Sequence, residues 1–431
     1  LEEFKKSVKN KFYIYNSLFL NLPYRGIENV GMLIPLLFDQ CEKGLKSGKN
    51  PQEILDLFFR YYANIETEKE QIDFMFSIIQ YVERQVVLYY SVEDAAFPKL
   101  HEHSSSLSIK DYFQLVSKNK SWEKIAKKLS NFSARIVLTA HPTQFYSPAV
   151  LDIIDELTSL ILEDQINDID VVLQQLGLTS LINTKKPTPL DEAKNIIYIL
   201  RNVYYDAVGD LFSYIKSNIE NDDFDNYNII KLGFWPGGDR DGNPFVTAEI
   251  TKDVADELRT NLMKCYYNDL KILRKKLTFK DSRPELNALR DRLYIAMFDP
   301  EKVVNYDDII RPLLKVREIL IDKYNSLYLK QLDDLIDKVR LFKTHFATLD
   351  IRQDHSKHKE VVETVLKVNG CIKESLDELA ESELTNLLLN KNFKLEAKDY
   401  DDEIVKDTIA NISQLREIQN NDRMIEISKK M

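Results

Sequence analysis

Asn228-Ile-Ile-Lys-Leu-Gly-Phe-Trp235 runs directly into Pro236-Gly-Gly-Asp-Arg-Asp-Gly-Asn-Pro244, and how this junction is read decides the fold. The first half is a β-prone apolar run. The second is a polar cluster that glycine and proline keep out of regular structure. Two other segments have the same form: Arg135-Ile-Val-Leu-Thr139 leads into Ala140-His141-Pro142-Thr143, and Phe346-Ala-Thr-Leu-Asp-Ile351 leads into Arg352-Gln353-Asp354. Helix-like sequence follows each one. Buried strands separated by long helical stretches, each releasing polar residues at its C-terminal end, are what parallel α/β architectures produce. In a (β/α)8 barrel those ends form the active-site face. Three unrelated strand-to-loop junctions are the plainer alternative.

Outside these segments the sequence predicts helix. Eleven glycines and 13 prolines in 431 residues are too little punctuation for an all-β chain, in which turns recur every 8–12 residues or so. Apolar residues at Ile54, Leu55, Phe58 and Phe59, and at Val150, Ile153, Ile154, Leu157, Leu160 and Ile161, trace helix faces that point into a core. Ser147-Pro148 marks the start of the second helix, with a capping hydroxyl followed by proline at the first helical position. Lys185-Lys186-Pro187-Thr188-Pro189 reads as an exposed connection.

Composition excludes several classes of function. The 59 Lys and Arg against 69 Asp and Glu leave a net charge of -10, which argues against nucleic acid or an anionic membrane as a partner. Cys41, Cys265 and Cys371 lie far apart and fit neither a disulfide framework nor a CxxC metal site. They are expected as packed thiols. No run of about 18 apolar residues occurs, and LEEFKKSVKNKF has no apolar signal core, so a cytoplasmic location is expected. The chain begins at Leu1, not Met, which suggests processing or a piece of something longer.

Four of the eleven glycines fall between Gly233 and Gly242, implying unusual backbone or close approach to a ligand around Asp239, Arg240 and Asp241. Neither GxGxxG nor GxxxxGK[ST] is present. A calcium loop also fails, because Gly237 and Ala248 would stand where carboxylates are required. A structural loop held by Asp239–Arg240 pairing stays open. His141, set before Pro142, is a candidate acid or base near neutral pH, against a structural, hydrogen-bonded histidine. Arg352 could grip a phosphate or carboxylate, with a structural ion pair as the alternative. His355 and His358 share a helical face, but with His345 they complete no recognised metal spacing, so no metal ligands are assigned.

Taken together, Val137-Leu-Thr-Ala-His-Pro-Thr143, Gly237-Gly-Asp-Arg-Asp-Gly-Asn-Pro244 and Leu349-Asp-Ile-Arg-Gln353 resemble phosphoenolpyruvate carboxylase over about Asn131 to His358. The resemblance implies a predominantly α-helical enzyme built on a (β/α)8 barrel, usually a homotetramer. Such an enzyme uses Mg²⁺ or Mn²⁺ to add bicarbonate to phosphoenolpyruvate, giving oxaloacetate and phosphate. It makes His141 the histidine of the carboxylation step and Arg352 the contact to the substrate phosphate. Asp239, Arg240 and Asp241 become an active-site loop that positions neighbouring groups. Gln144 departs from the common Glu, and Ser147 from a common Arg, so no anion contact is carried over to that position.

Segments like GYSDSxKD and GRGG are absent from the chain. In the family they carry the catalytic lysine and further arginines, and the metal carboxylates belong to the same half. The expectation is therefore an N-terminal fragment, with 1–130 an N-terminal helical region and 131–431 a partial (β/α)8 barrel with extensive additional helices. The competing function is a non-catalytic helical scaffold or regulatory subunit that binds a phosphorylated metabolite or a partner chain.

Overall fold

Apolar residues spaced three and four apart produce helix through most of the chain. The computed structural model describes residues 2–19, 30–103, 113, 122–139, 146–181, 187–219, 224–391 and 395–421. In chain order its elements begin with α1 (Glu2–Phe19), α2 (Val30–Lys46), α3 (Pro51–Phe58), α4 (Glu68–His103), α5 (Trp122–Asn131), β1 (Ala134–Leu138), α6 (Pro148–Leu162) and α7 (Ile166–Leu178). There follow α8 (Pro189–Ile199), α9 (Tyr205–Asn218), β2 (Ile230–Phe234), α10 (Ala248–Lys276), α11 (Arg283–Ala296), α12 (Tyr306–Lys323) and α13 (Leu329–Phe342). The last are β3 (Thr348–Leu349), α14 (His355–Val368), α15 (Glu381–Asn390) and α16 (Glu403–Asn421). Two compact units emerge, residues 1–115 with 142–186 and residues 116–141 with 187–431.

The first unit is helical. Val150, Ile153, Leu157 and Ile161 of α6 are buried as their spacing predicts, together with Val8, Phe19, Tyr81, Leu88 and Leu173. Ile54, Phe58 and Phe59 are buried as well. Ser147 stands at the N-cap of α6 in extended conformation ahead of Pro148, yet its hydroxyl makes no capping hydrogen bond. The expected start is right and the expected bond is not formed. Of the expected 185–189 connection, 185 and 186 lie outside the described residues. Pro189 opens α8, where Thr188 and Asp191 form a reciprocal capping box.

The second unit holds a three-stranded parallel sheet in the order β1-β2-β3. Ala134 to Leu138 align with Ile230 to Phe234, and Gly233 and Phe234 align with Thr348 and Leu349. Side chains alternate across a pleated strand. Leu232, Phe234 and Leu349 accordingly join the helical core with Val254, Leu258, Leu262 and Phe346. The other face carries Arg135, Val137, Gly233 and Thr348. All three strands lie where the apolar runs predict, but their expected burial holds only in part. β2 and β3 are largely covered, whereas Arg135, Ile136 and Val137 at the centre of β1 are exposed. A short apolar run identifies a strand without identifying what packs on it. Cys41, Cys265 and Cys371 are all free thiols, Cys265 buried and the others half-buried.

After β2 the chain turns through two glycines for different reasons. Gly237 has φ +76, a conformation that L side chains rarely adopt, while Gly238 lies so close to the chain after β3 that a Cβ would collide with the Asp350 carbonyl oxygen. Backbone cannot move aside as a flexible side chain can. Gly238→Ala is therefore expected to destabilise the fold by about 1–3 kcal/mol. A lowered urea midpoint with an unchanged denaturant slope would record that loss.

Candidate active site

The ladder between the strands continues past their formal ends. Trp235 N–H donates to the Leu138 carbonyl at 2.9 Å, and Asp350 N–H to the Phe234 carbonyl at 2.9 Å. Arg352 N–H then donates to the Gly238 carbonyl at 2.9 Å, while Arg240 N–H donates to the Arg352 carbonyl at 2.8 Å. This parallel bridge, centred on Asp239 and Arg352, joins the glycine-rich loop to the segment after β3. Residues far apart in sequence thus meet at the C-terminal end of the sheet.

Arg352 is held on two sides. Its Nη1 donates to Asp239 Oδ2 at 3.0 Å, and its guanidinium lies 4.1 Å from the centre of the Trp235 ring. Stacking of this kind contributes about 0.5–1 kcal/mol at an exposed site, and the preset plane of the guanidinium suits a planar or tetrahedral anion. The side chain remains 41% exposed, so donors not used by Asp239 face accessible space. Trp235 is fixed in turn, because its Nε1–H donates to Asp350 Oδ2 at 3.1 Å. The other oxygen of Asp350 is paired with Arg135 Nη2.

Arg135, Trp235 and Asp350 escaped the sequence reading. A charge lodged inside each of two short apolar strand runs is the signal that could have found them, since a charge there must face away from the hydrophobic layer and find a partner.

Arg240 behaves differently from Arg352. Its guanidinium is only 8% exposed and is paired with Asp407 on α16. Its buried Nε has no hydrogen-bond partner among the described residues. The Asp239–Arg240 pair that the sequence leaves open as an alternative does not form. Asp239 turns to Arg352 and Arg240 to Asp407, because successive side chains in an extended loop diverge. Asp241 is exposed, and its N–H points to Asp239 Oδ1 at 3.4 Å. His141 and Gln144 lie outside the described residues.

The described residues contain no group of three or more His, Cys, Asp or Glu able to hold a metal ion, so they do not fit a divalent-metal centre. A cavity of about 230 Å³ lined by Asp256, Arg259, Pro300, His345 and Leu349, among others, is reached by none of Asp239, Arg240, Asp241 and Arg352.

His358, on the first turn of α14, senses this electrostatic setting. Burial, and then the positive charge of Arg240, hold its imidazole below the ordinary value of 6.5. The fold therefore prefers the neutral ring, and the unfolded chain takes up the proton first as pH falls. Its stabilising contribution is complete above about pH 6.5 and is lost as pH drops through the lowered folded value. The urea midpoint should accordingly fall further between about pH 7.5 and about pH 5.5 in the parent than in His358→Gln. Parallel losses in the two proteins would contradict this assignment.

Comparison with known proteins gives the chain a family. The family profile described as phosphoenolpyruvate carboxylase matches residues 72–299 and 290–427. Phosphoenolpyruvate carboxylases from Shewanella sediminis (strain HAW-EB3) and Aeromonas salmonicida (strain A449) are each 27% identical over 303 residues, covering 60% of this chain and 34% of the relative. The protein of that name from Histophilus somni (strain 2336) is 26% identical over 314 residues, covering 62% and 36%. The chain thus spans about a third of the length of the curated relatives it matches. With the family profile extending over most of its length, the chain belongs to the phosphoenolpyruvate carboxylase family.

Proposed function

We propose that this chain supplies the N-terminal part of an enzyme that adds bicarbonate to phosphoenolpyruvate and releases oxaloacetate and phosphate. The observation that carries the reading is the presentation of Arg352: an accessible guanidinium at the C-terminal end of a parallel sheet, braced by Asp239 and Trp235. A scaffold has no need of an arginine held in this way. The three strands are read as consecutive members of a (β/α)8 barrel whose polar inner face bears Arg135 and Asp350, with residues 131–431 as the barrel portion and 1–130 as the helical region before it. The complete enzyme is read as a cytoplasmic homotetramer.

In this scheme Arg352 binds the substrate phosphate through charge-assisted hydrogen bonds and orients it for transfer to bicarbonate. Transfer yields carboxyphosphate and the enolate of pyruvate, and carbon dioxide released from carboxyphosphate then joins the enolate carbon. His141, three residues past β1 in sequence, serves the carboxylation step as the proton-handling group. Asp239, Arg240 and Asp241 position their neighbours. The burial of Arg240 supports that division, since a guanidinium so enclosed is poorly placed to touch substrate. Mg²⁺ or Mn²⁺, when bound, offsets the charge of the phosphate; its ligands are assigned to the family length that this chain does not span.

Two substitutions in the full natural reading frame test the scheme by failing differently. Arg352→Ala removes a phosphate contact worth about 1.5–3 kcal/mol, so phosphoenolpyruvate binding or phosphate transfer should weaken about 10- to 100-fold. His141→Asn should spare bicarbonate-dependent release of phosphate and pyruvate while oxaloacetate disappears. Equal loss of all three products from His141→Asn, together with loss of substrate binding, would place the histidine in assembly or binding instead. Residues 1–431 alone are expected to form no oxaloacetate, and bicarbonate- and Mg²⁺-dependent formation by them would overturn that expectation.

A further inference from the structure

One carboxylate outside every recognised motif holds both Arg240 of the signature loop and the first residue of the helix that follows it. Asp407 lies on α16, 167 residues after Arg240, and pairs with the Arg240 guanidinium. Its other oxygen accepts the N–H of Ala248 at 2.8 Å. Ala248 is the first residue of α10, where an unsatisfied N–H and the helix dipole both favour an anion. One turn pair further along α16, Gln414 donates to the Ala248 carbonyl. The helix is itself anchored, since Val405 and Ile409 pack with Val361, Val365 and Tyr400. The loop between Arg240 and Ala248 is therefore pinned at both ends to one firmly seated helix.

The geometry points to Asp407 as a positioning residue for the phosphate-binding arginine. The connection is short. Arg240, held by Asp407, donates its backbone N–H to the Arg352 carbonyl; Arg352 donates back to Gly238, and Asp239 between them holds the Arg352 guanidinium. Release of Arg240 would free the middle of this bridge and let the Arg352 fork turn away from its set direction. Arg240 has no other ion-pair partner among the described residues to take over the role. The inference rests on the carboxylase reading of Arg352 for its consequence in catalysis, though the mechanical coupling stands on the hydrogen bonds alone.

Asp407→Asn separates the clasp from the fold, because the amide oxygen can still accept the Ala248 N–H while the charge facing Arg240 is gone. In the full natural reading frame, hydrogen exchange is followed by mass spectrometry in peptides spanning 236–244 and 350–354, with 230–234 as the internal reference. Asp407→Asn should accelerate exchange in the first two by about tenfold and leave the reference unchanged. Uniform acceleration, or none, overturns the inference. The second measurement is kinetic. Asp407→Asn should raise the KM for phosphoenolpyruvate about tenfold with a smaller change in kcat, and Asp407→Asn combined with Arg352→Ala should be no worse than Arg352→Ala alone. Additive effects on KM overturn the coupling to Arg352. A parent protein that makes no oxaloacetate removes the carboxylase reading, while the exchange experiment still decides the clasp.

Discussion

The arrangement depends on a backbone contact between Gly238, Arg240 and Arg352. Two hydrogen bonds extend the parallel ladder beyond its last strand and bring a loop against a segment more than a hundred residues later. Only a residue without a Cβ can occupy position 238 at this separation. The direction of the Arg352 side chain follows, because its backbone is fixed by Gly238 and Arg240 before Asp239 or Trp235 contributes. Backbone sets the position, and side chains then set the plane of the guanidinium.

The two faces of the sheet divide the work. On one, Leu232, Phe234 and Leu349 bury against helices and supply cohesion. On the other, Arg135, Trp235 and Asp350 form a chain of partners across all three strand segments. Arg135 and Asp350 are tolerable on this face because they pair with each other, and an enclosed charge without a partner would carry the desolvation cost alone. Such a paired polar layer gives an exposed arginine a rigid base without placing that arginine in the core.

Much of the fold could be read from the sequence because periodicity reports local burial. The α6 face from Val150 to Ile161 and the three strand positions are of this kind. Arg352 and the glycine-rich loop were also legible, since glycine clustered in a glycine-poor chain marks restricted backbone. Pairing was not. Nothing local at Asp239 says that it faces Arg352 and not its neighbour Arg240, and nothing at Asp407 distinguishes it from the other acidic residues of its helix. Partners of that kind are set by tertiary geometry. The exposed middle of β1 was hidden for the same reason: an apolar strand reads alike whether covered or at an edge.

The sheet is assembled wholly from distant pieces. Arg135 and Asp350 are 215 residues apart in sequence, so β1 leaves the ribosome long before the segment that completes its ion pair exists. At typical synthesis rates that interval is about 10–40 s. Until β2 emerges, about 5–20 s after β1, an apolar strand with exposed Ile136 and Val137 is without its neighbour in the sheet. The helices of 187–219 can begin to form while it waits, but their apolar faces complete their burial only against the later α10 and α13. Production of this unit is therefore governed by how well β1 is shielded during translation, a kinetic demand that the stability of the finished sheet does nothing to relieve.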